Sequence, residues 1–197
     1  MFETLISKLQ EDKYLTYETT PQHEPSMHNI VEKIKKFKID SKVDGFTCTD
    51  NPLAKLKYNS LFAALKLQQE FKKPVIATMT MRDRNKIALQ SDLLGANDFD
   101  IRAILALTGD PANMSDQPNS KGVFEANSLM LLKMIKSFNY GMDFAGRPFK
   151  IEPKQIFPFA VVNAYAKNFG SLEKKMHLKI QHGAVGIVTQ HVFDIEN

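Results

Sequence analysis

The strongest constraint in this sequence is a rhythm. Short runs rich in β-branched and aromatic residues alternate with longer helical stretches at intervals of roughly 30 residues, the size of one βα unit. The strand candidates are Leu15–Thr19, Gly45–Thr49, Pro74–Thr80, Ala103–Thr108, Phe157–Asn163 and Gly186–Val192. The helical candidates between them are Ser26–Phe37, Ser60–Phe71, Asn85–Leu94, Ala126–Phe138 and Ser171–His182. Asn59-Ser60 ahead of the apolar run from Leu61, and Ser171 ahead of Leu172, read as helix N-caps. Strands that alternate with helices in this way form a parallel sheet, because a parallel neighbour can be reached only by a long crossover.

A closed barrel and an open doubly wound sheet both satisfy that pattern, and the placement of polar residues separates them. Each strand candidate runs apolar and then finishes on polar groups: Glu18, Thr49-Asp50, Thr80 with Arg82-Asp83, Gly109-Asp110, Asn163 and Gln190. Polar groups delivered to one end by every strand match a TIM-type (β/α) barrel with its site at the C-terminal mouth. An open sheet concentrates its site at one switch point. The expected architecture is therefore a single domain over residues 1–197, with about six of the eight βα units that close such a barrel. An incomplete barrel exposes a strand edge, so a homo-oligomer or another cover for that edge is expected. The loop from Pro111 to Asn127 is long and polar, as lids and ligand clamps are.

Composition removes several function classes. The one cysteine, Cys48, excludes an internal disulfide framework and a multi-cysteine metal site, which fits a reducing cytoplasmic compartment. No apolar run is long enough to span a membrane, and the N-terminus lacks the order of a secretory signal. The net charge of +4 comes from scattered lysines, and the densest group (Lys33, Lys35, Lys36, Lys38) reads as a solvated helix face, so nucleic acid is not expected. His23, His28, His177 and His182 lack zinc spacing, so no metal is expected. There is no Walker loop, GxGxxG or nucleophile elbow.

Period-two alternation sorts the remaining candidates by face. Glu18 shares a face with Thr16 and Thr20, and Thr47 shares one with Thr49, while Cys48 points the other way, towards the helices. At a barrel mouth Glu18 would be partly desolvated and suited to general-acid work, or else would cap the next helix. Gly109-Asp110 either receives a flat heterocycle, with the carboxylate accepting its N–H groups, or forms an ordinary turn. The amide of Gln190 can donate and accept, or simply face solvent.

With those residues in view, the chain resembles the methylenetetrahydrofolate reductase family, especially its short bacterial branch. The resemblance rests on Leu15-Thr16-Tyr17-Glu18-Thr19-Thr20-Pro21, on Thr47-Cys48-Thr49-Asp50-Asn51-Pro52-Leu53-Ala54 and on Arg82-Asp83-Arg84-Asn85 leading into Leu89-Gln90-Ser91-Asp92-Leu93-Leu94-Gly95. It continues through Leu105-Ala106-Leu107-Thr108-Gly109-Asp110-Pro111 and from Gly183-Ala184 to Asp194.

The resemblance implies a β/α barrel holding FAD at its mouth. NADH or NADPH reduces the flavin, and a 5,10-methylene folate then accepts the hydride to become 5-methyltetrahydrofolate. Glu18 is implied as the general acid. Asp110 is implied as the carboxylate on the pterin, and Gln190 as the amide shared by pterin and nicotinamide. Thr49, Asp50, Thr78, Thr80, Thr108, Gly109, Asp110 and Lys179 fall at or beside flavin positions, with Thr49 also near substrate. Departures fall on the flavin side: Val162-Asn163-Ala164-Tyr165-Ala166 replaces a Tyr-Pro-Glu-x-His stretch, Leu172 and Leu178 replace polar residues, and Thr108 replaces an arginine. Two further readings stay open: a reductase-like enzyme with an altered flavin arrangement or a partner subunit, and a degenerate barrel serving as a binding or assembly module.

Overall fold

The computed structural model describes residues 2–11, 13–163, 165 and 168–190. The elements in chain order are α1 (Phe2–Glu11), β1 (Thr16–Thr19), α2 (His28–Lys36), β2 (Gly45–Cys48), α3 (Ser60–Phe71), β3 (Val75–Thr80) and α4 (Lys86–Asp98). They continue with β4 (Ala103–Leu107), α5 (Ser128–Asn139), β5 (Phe157–Val162), α6 (Phe169–Gln181) and β6 (Gly186–Thr189). Single 3₁₀ turns at Pro52–Ala54 and Ala112–Met114 follow β2 and β4. All six expected strands form, five of them within one residue of their anticipated ends; the sixth ends at Thr189, Gln190 is outside it, and the rest of its expected span, with Ala164 and Ala166, lies outside the described residues.

The strands pair in sequence order, β1-β2-β3-β4-β5-β6, and every pair is parallel. Right-handed crossovers that never reverse direction put all their helices on one face of the sheet. A doubly wound sheet would reverse its order, so the sequential order decides for a curled half-barrel of the TIM type. Six strands are described, and an eighth-unit closure is not among them.

The two faces of the sheet are built from different residues because the side-chain period is two. Phe46, Cys48, Val75, Ala77, Met79, Ile104, Ala106 and Ala160 share one buried cluster with Val31 and Ile34 of α2, Leu61 and Leu67 of α3, Leu89 and Leu93 of α4, and Leu131 and Ile135 of α5. The opposite, inner face carries a second cluster in which Phe2 and Leu5 of α1 pack on Ile76, Ala103, Phe157 and Phe159. Those four strand residues lie at or near the starts of β3, β4 and β5, so α1 plugs the N-terminal end of the half-barrel. Arg102 fastens the plug: it pairs with Glu3 and Asp100, and its guanidinium lies over the rings of Phe2 and Phe157. Sequence reasoning passed over α1, although Phe2, Leu5, Ile6 and Leu9 have the i, i+3, i+4, i+7 spacing of an amphipathic helix.

Local chemistry explains the element ends. The Asn59 side chain accepts from Leu61 N–H and Phe62 N–H, as its N-cap reading required. In α6 the cap is Asn168, which accepts from Ser171 N–H; Ser171 is inside the helix, because an earlier residue with a short acceptor side chain reaches the free amides first. The segment 140–148 is the expected turn, closed by a Met142–Pro148 bridge and by the Asp143 carboxylate, which accepts from Ala145 N–H and Arg147 N–H. Burial declines along the sheet: all of β3 is buried, whereas β6 and α6 contain no buried residue. Among the described residues no helix is long and apolar enough to cross a membrane.

Two expected outcomes follow from this packing. A Cβ at Gly45 would stand 2.6 Å from the Pro74 carbonyl oxygen and against the Tyr14 hydroxyl. Gly45→Ala therefore has to push β2 off β3 and lowers stability by about 1–3 kcal/mol in denaturant titrations. Cys48 is fully buried on the helix face, and burial pushes its thiol up to about 12. A thiol reagent at neutral pH should label the native protein only as fast as the chain opens, and prompt labelling would contradict that burial.

Candidate functional site

Register fixes which strand-end residues face the inner side. Glu18 pairs with Thr47, Thr47 with Ile76, and Ile76 with Ala103. Ile76 and Ala103 lie under α1 on the inner face, so Glu18 and Thr47 share it, and so do Thr49, Thr78 and Thr80 by alternation. Thr19 and Cys48 point to the helices, where the Thr19 hydroxyl donates to Thr47 O at 2.8 Å and lies 3.3 Å from Cys48 Sγ. Gln190 is two residues past Val188, which pairs with Val161 two residues past inner-facing Phe159. Glu18 is the third of the four residues of β1, whereas Asp110 and Gln190 follow the C-terminal ends of β4 and β6; Glu18 and Gln190 lie on the inner side at the two opposite sheet edges.

The rim is held by a buried ionic cluster. The β2–β3 ladder ends at Cys48–Ala77, and beyond it the Asp50 side chain takes over. Asp50 Oδ2 accepts from Thr80 N–H at 3.0 Å and from the Thr80 hydroxyl at 2.9 Å. Arg84 donates to Asp50 Oδ2 through Nη1 at 2.6 Å, and through Nε to Asp92 of α4 at 2.8 Å. The Asp50 side chain is 1% exposed and that of Arg84 10%. Burial works against the charge of the Arg84 guanidinium, but the Asp50 and Asp92 carboxylates outweigh it and hold its pKa above the ordinary value. Breaking such a buried pair by removing one partner costs about 3–5 kcal/mol, because the other charge is left desolvated and alone. Next to it Arg82, also buried, donates to both oxygens of Asp83 and to Asn51 O at 3.1 Å.

The loop after β2 is strained. Asn51, Leu53 and Ala54 all have left-handed backbone angles (φ 44°, 55° and 57°), of which only that of Asn51 is readily tolerated. Conformations of this kind cost about 1–3 kcal/mol each and persist only where surrounding contacts impose them. The contacts are present: Leu53 N–H donates to Asp110 Oδ2 at 2.6 Å, Leu56 N–H to Asp116 at 3.2 Å and Lys57 N–H to Asn51 Oδ1 at 2.8 Å. The long loop from Pro111 lies across this same rim, with Val123 N–H on Arg82 O at 2.6 Å and Glu125 accepting from Lys86 N–H.

Several flavin-position expectations acquire specific surroundings. The hydroxyl of Thr49 is a buried polar atom with no hydrogen-bond partner among the described residues, and it lies on the inner face. Thr78, buried, stands beside it on β3, since Cys48 pairs with Ala77 one residue earlier. Asp50 and Thr80, by contrast, spend their side chains on one another and on Arg84, so they shape the rim from beneath. Thr108 accepts from Ser128 N–H and thereby helps to start α5. At Gly109 (φ +95°) a Cβ would come 3.0 Å from Arg82 Cβ and 3.2 Å from Thr80 Cβ, so the turn packs closely on the end of β3. Lys179 donates to Val161 O, and burial lowers its pKa. Glu18 is exposed, so the chain itself does not supply the desolvation expected of it.

Arg82, Arg84 and Asp92 are the rim residues that sequence reasoning did not single out by role. Arg82 was visible as part of the polar finish of the third strand candidate, and Arg84 and Asp92 as members of a stretch shared with the reductase family, but none of those signals shows that the three pair within the rim.

Comparison with known proteins gives unequal results. No curated protein matches the chain. Among solved structures, a crystal structure of Anabaena Alr3699/HepE in complex with UDP-glucose aligns with 97% of this chain and 59% of its own, at 11% identity and a TM-score of 0.24. So weak a superposition carries no argument. This chain also spans less than two thirds of that protein's length. The family model described as methylenetetrahydrofolate reductase, however, matches residues 3–197, and the chain belongs to that family.

Proposed function

We propose that this chain carries the site of a reductase that converts 5,10-methylenetetrahydrofolate to 5-methyltetrahydrofolate, with NADH or NADPH as donor and FAD as carrier. One observation supports the reading above all. Of the carboxylates along the rim, Asp50, Asp83 and Asp110 are committed to Arg84, Arg82 and the Leu53 amide, whereas Glu18 makes no hydrogen bond or ion pair among the described residues. An uncommitted carboxyl group on the inner face is the one free to meet a substrate.

The residues present are compatible with a flavin. The partnerless hydroxyl of Thr49 offers a donor and acceptor on the inner face, with Thr78 beside it. Lys179 and the turn Thr108-Gly109 would border the same group, and Asp50 and Thr80 would hold the surface beneath it. Bound there, FAD would supply hydride transfer, which is the cofactor's own chemistry. The protein's part is to place and polarise the substrate. Glu18 would deliver a proton to the nitrogen that leaves the methylene bridge. Asp110 keeps lone pairs free besides the one used by Leu53 N–H, so it could accept from a pterin and steady positive charge developing there. Gln190 would donate and accept at the opposite edge. A folate docked between these groups would itself remove water from Glu18, supplying the desolvation that the chain lacks.

A second reading is favoured by Lys179, which is tied to the Val161 carbonyl, and by the sparse burial of α6 and β6. It makes the chain a reductase-like barrel without flavin that acts with a partner or as a binding module. Among the described residues β1 and β6 are the edge strands of the sheet, and both readings allow another copy of the chain to pair there.

Two measurements discriminate. The visible spectrum of the purified protein should show the flavin absorption bands near one equivalent per chain; a colourless protein that takes up no added FAD favours the second reading. In the flavin-loaded protein, Glu18→Gln should leave reduction by the nicotinamide nucleotide intact and slow folate reduction by about 10²–10⁴-fold. Equal loss of both half-reactions would remove Glu18 from the acid role.

A further inference from the structure

The β2–β3 ladder stops at Cys48–Ala77, one residue before Thr49. Its own N–H is held by Thr19 O at 3.1 Å on the β1 side. On the other side the next residue, Asp50, reaches across to Thr80, and Arg84 locks that carboxylate while anchoring itself to α4 through Asp92. The hydroxyl left without a partner on the inner face belongs to the residue immediately before this clamp. The strained loop, whose Asn51 carbonyl is held by Arg82, begins immediately after it.

We propose that Arg84 is a positioning residue for Thr49: acting through Asp50, it aims the free Thr49 hydroxyl at whatever ligand occupies the inner face and helps to keep Asn51, Leu53 and Ala54 in their left-handed angles. The proposal rests on the reading that a ligand binds there, and it concerns a residue that touches no ligand itself. Side chains that aim a contacting residue are effective when their own rotamers are locked by burial and paired donors, and Arg84 has both.

The test uses the full chain with Arg84→Met, Arg84→Lys and Thr49→Val. Hydrogen exchange is read without ligand, and FAD affinity by quenching of flavin fluorescence. Arg84→Met should speed exchange of the amides from Thr49 to Leu56 by about tenfold while leaving the central amides of α5 unchanged. Arg84→Lys, which keeps the charge, should restore part of that protection. For FAD, Arg84→Met and Thr49→Val should each weaken binding by about tenfold, and the double variant should lose no more than the weaker-binding single, since both remove one contact. Additive losses, or exchange that rises evenly through the chain, would reduce Arg84 to a general stabiliser and overturn the proposal. If Arg84→Met does not fold, Asp92→Asn loosens the same guanidinium from a partly exposed position and should give the same local pattern in milder form. If the wild-type chain binds no FAD, the flavin reading fails, and the exchange pattern alone decides whether Arg84 holds the Thr49 segment.

Discussion

Everything in this structure depends on parallel strands that pair in the order in which they are made. Because each crossover returns to the next position and never turns back, the helices collect on one face and the sheet curls with the other face inward. The inner face then has two ends with opposite tasks. At the strand starts it is apolar, and α1 seals it through Phe2 and Leu5. At the strand ends it is polar, and the free groups accumulate there. A side chain's role follows from two coordinates, its parity along the strand and its distance from the strand start.

The polar end is not a simple ring of ligand-binding groups. Most of its charge is spent internally. Asp50, Arg84 and Asp92 join β2, β3 and α4 where the ladder gives out, and Arg82, Asp83 and Asp110 hold the strained loop after β2. Among the described residues, that internal commitment leaves the Thr49 hydroxyl, the Glu18 carboxyl group and the Gln190 amide outside the paired cluster. Rigidity under the site and freedom within it have the same origin, since pairing the structural charges removes them from competition for the ligand.

The fold was legible in the sequence because it rests on local signals repeated many times. Six apolar runs ending on polar groups, separated by helical stretches, are enough to imply sequential parallel strands, and Asn59 and the turn at Asp143 behave as their chemistry predicts. The site was legible in outline. Glu18, Asp110 and Gln190 could be assigned to strand ends, and Thr49 to the face opposite Cys48. The division of labour among them was not legible. Asp50 and Thr49 are adjacent polar residues with similar sequence signals, yet one is consumed by Arg84 and the other is left without a partner. Gly109 packs closely on Arg82 and Thr80 at the end of β3, and nothing local in the sequence shows it.

The sequence by itself determined the order and parity of the strands, the helices between them and the membership of the reductase family, because these depend on periodicity and on motifs contiguous in the chain. Only the tertiary structure decided which polar groups are spent and which are free, that α1 plugs the strand starts, and that the loop after β2 is held under strain. Those outcomes depend on contacts between residues tens of positions apart, such as Asp50 with Arg84 and Leu53 with Asp110. A carboxylate's role is set by whichever cation or amide the fold brings to it, and the local sequence does not contain that partner.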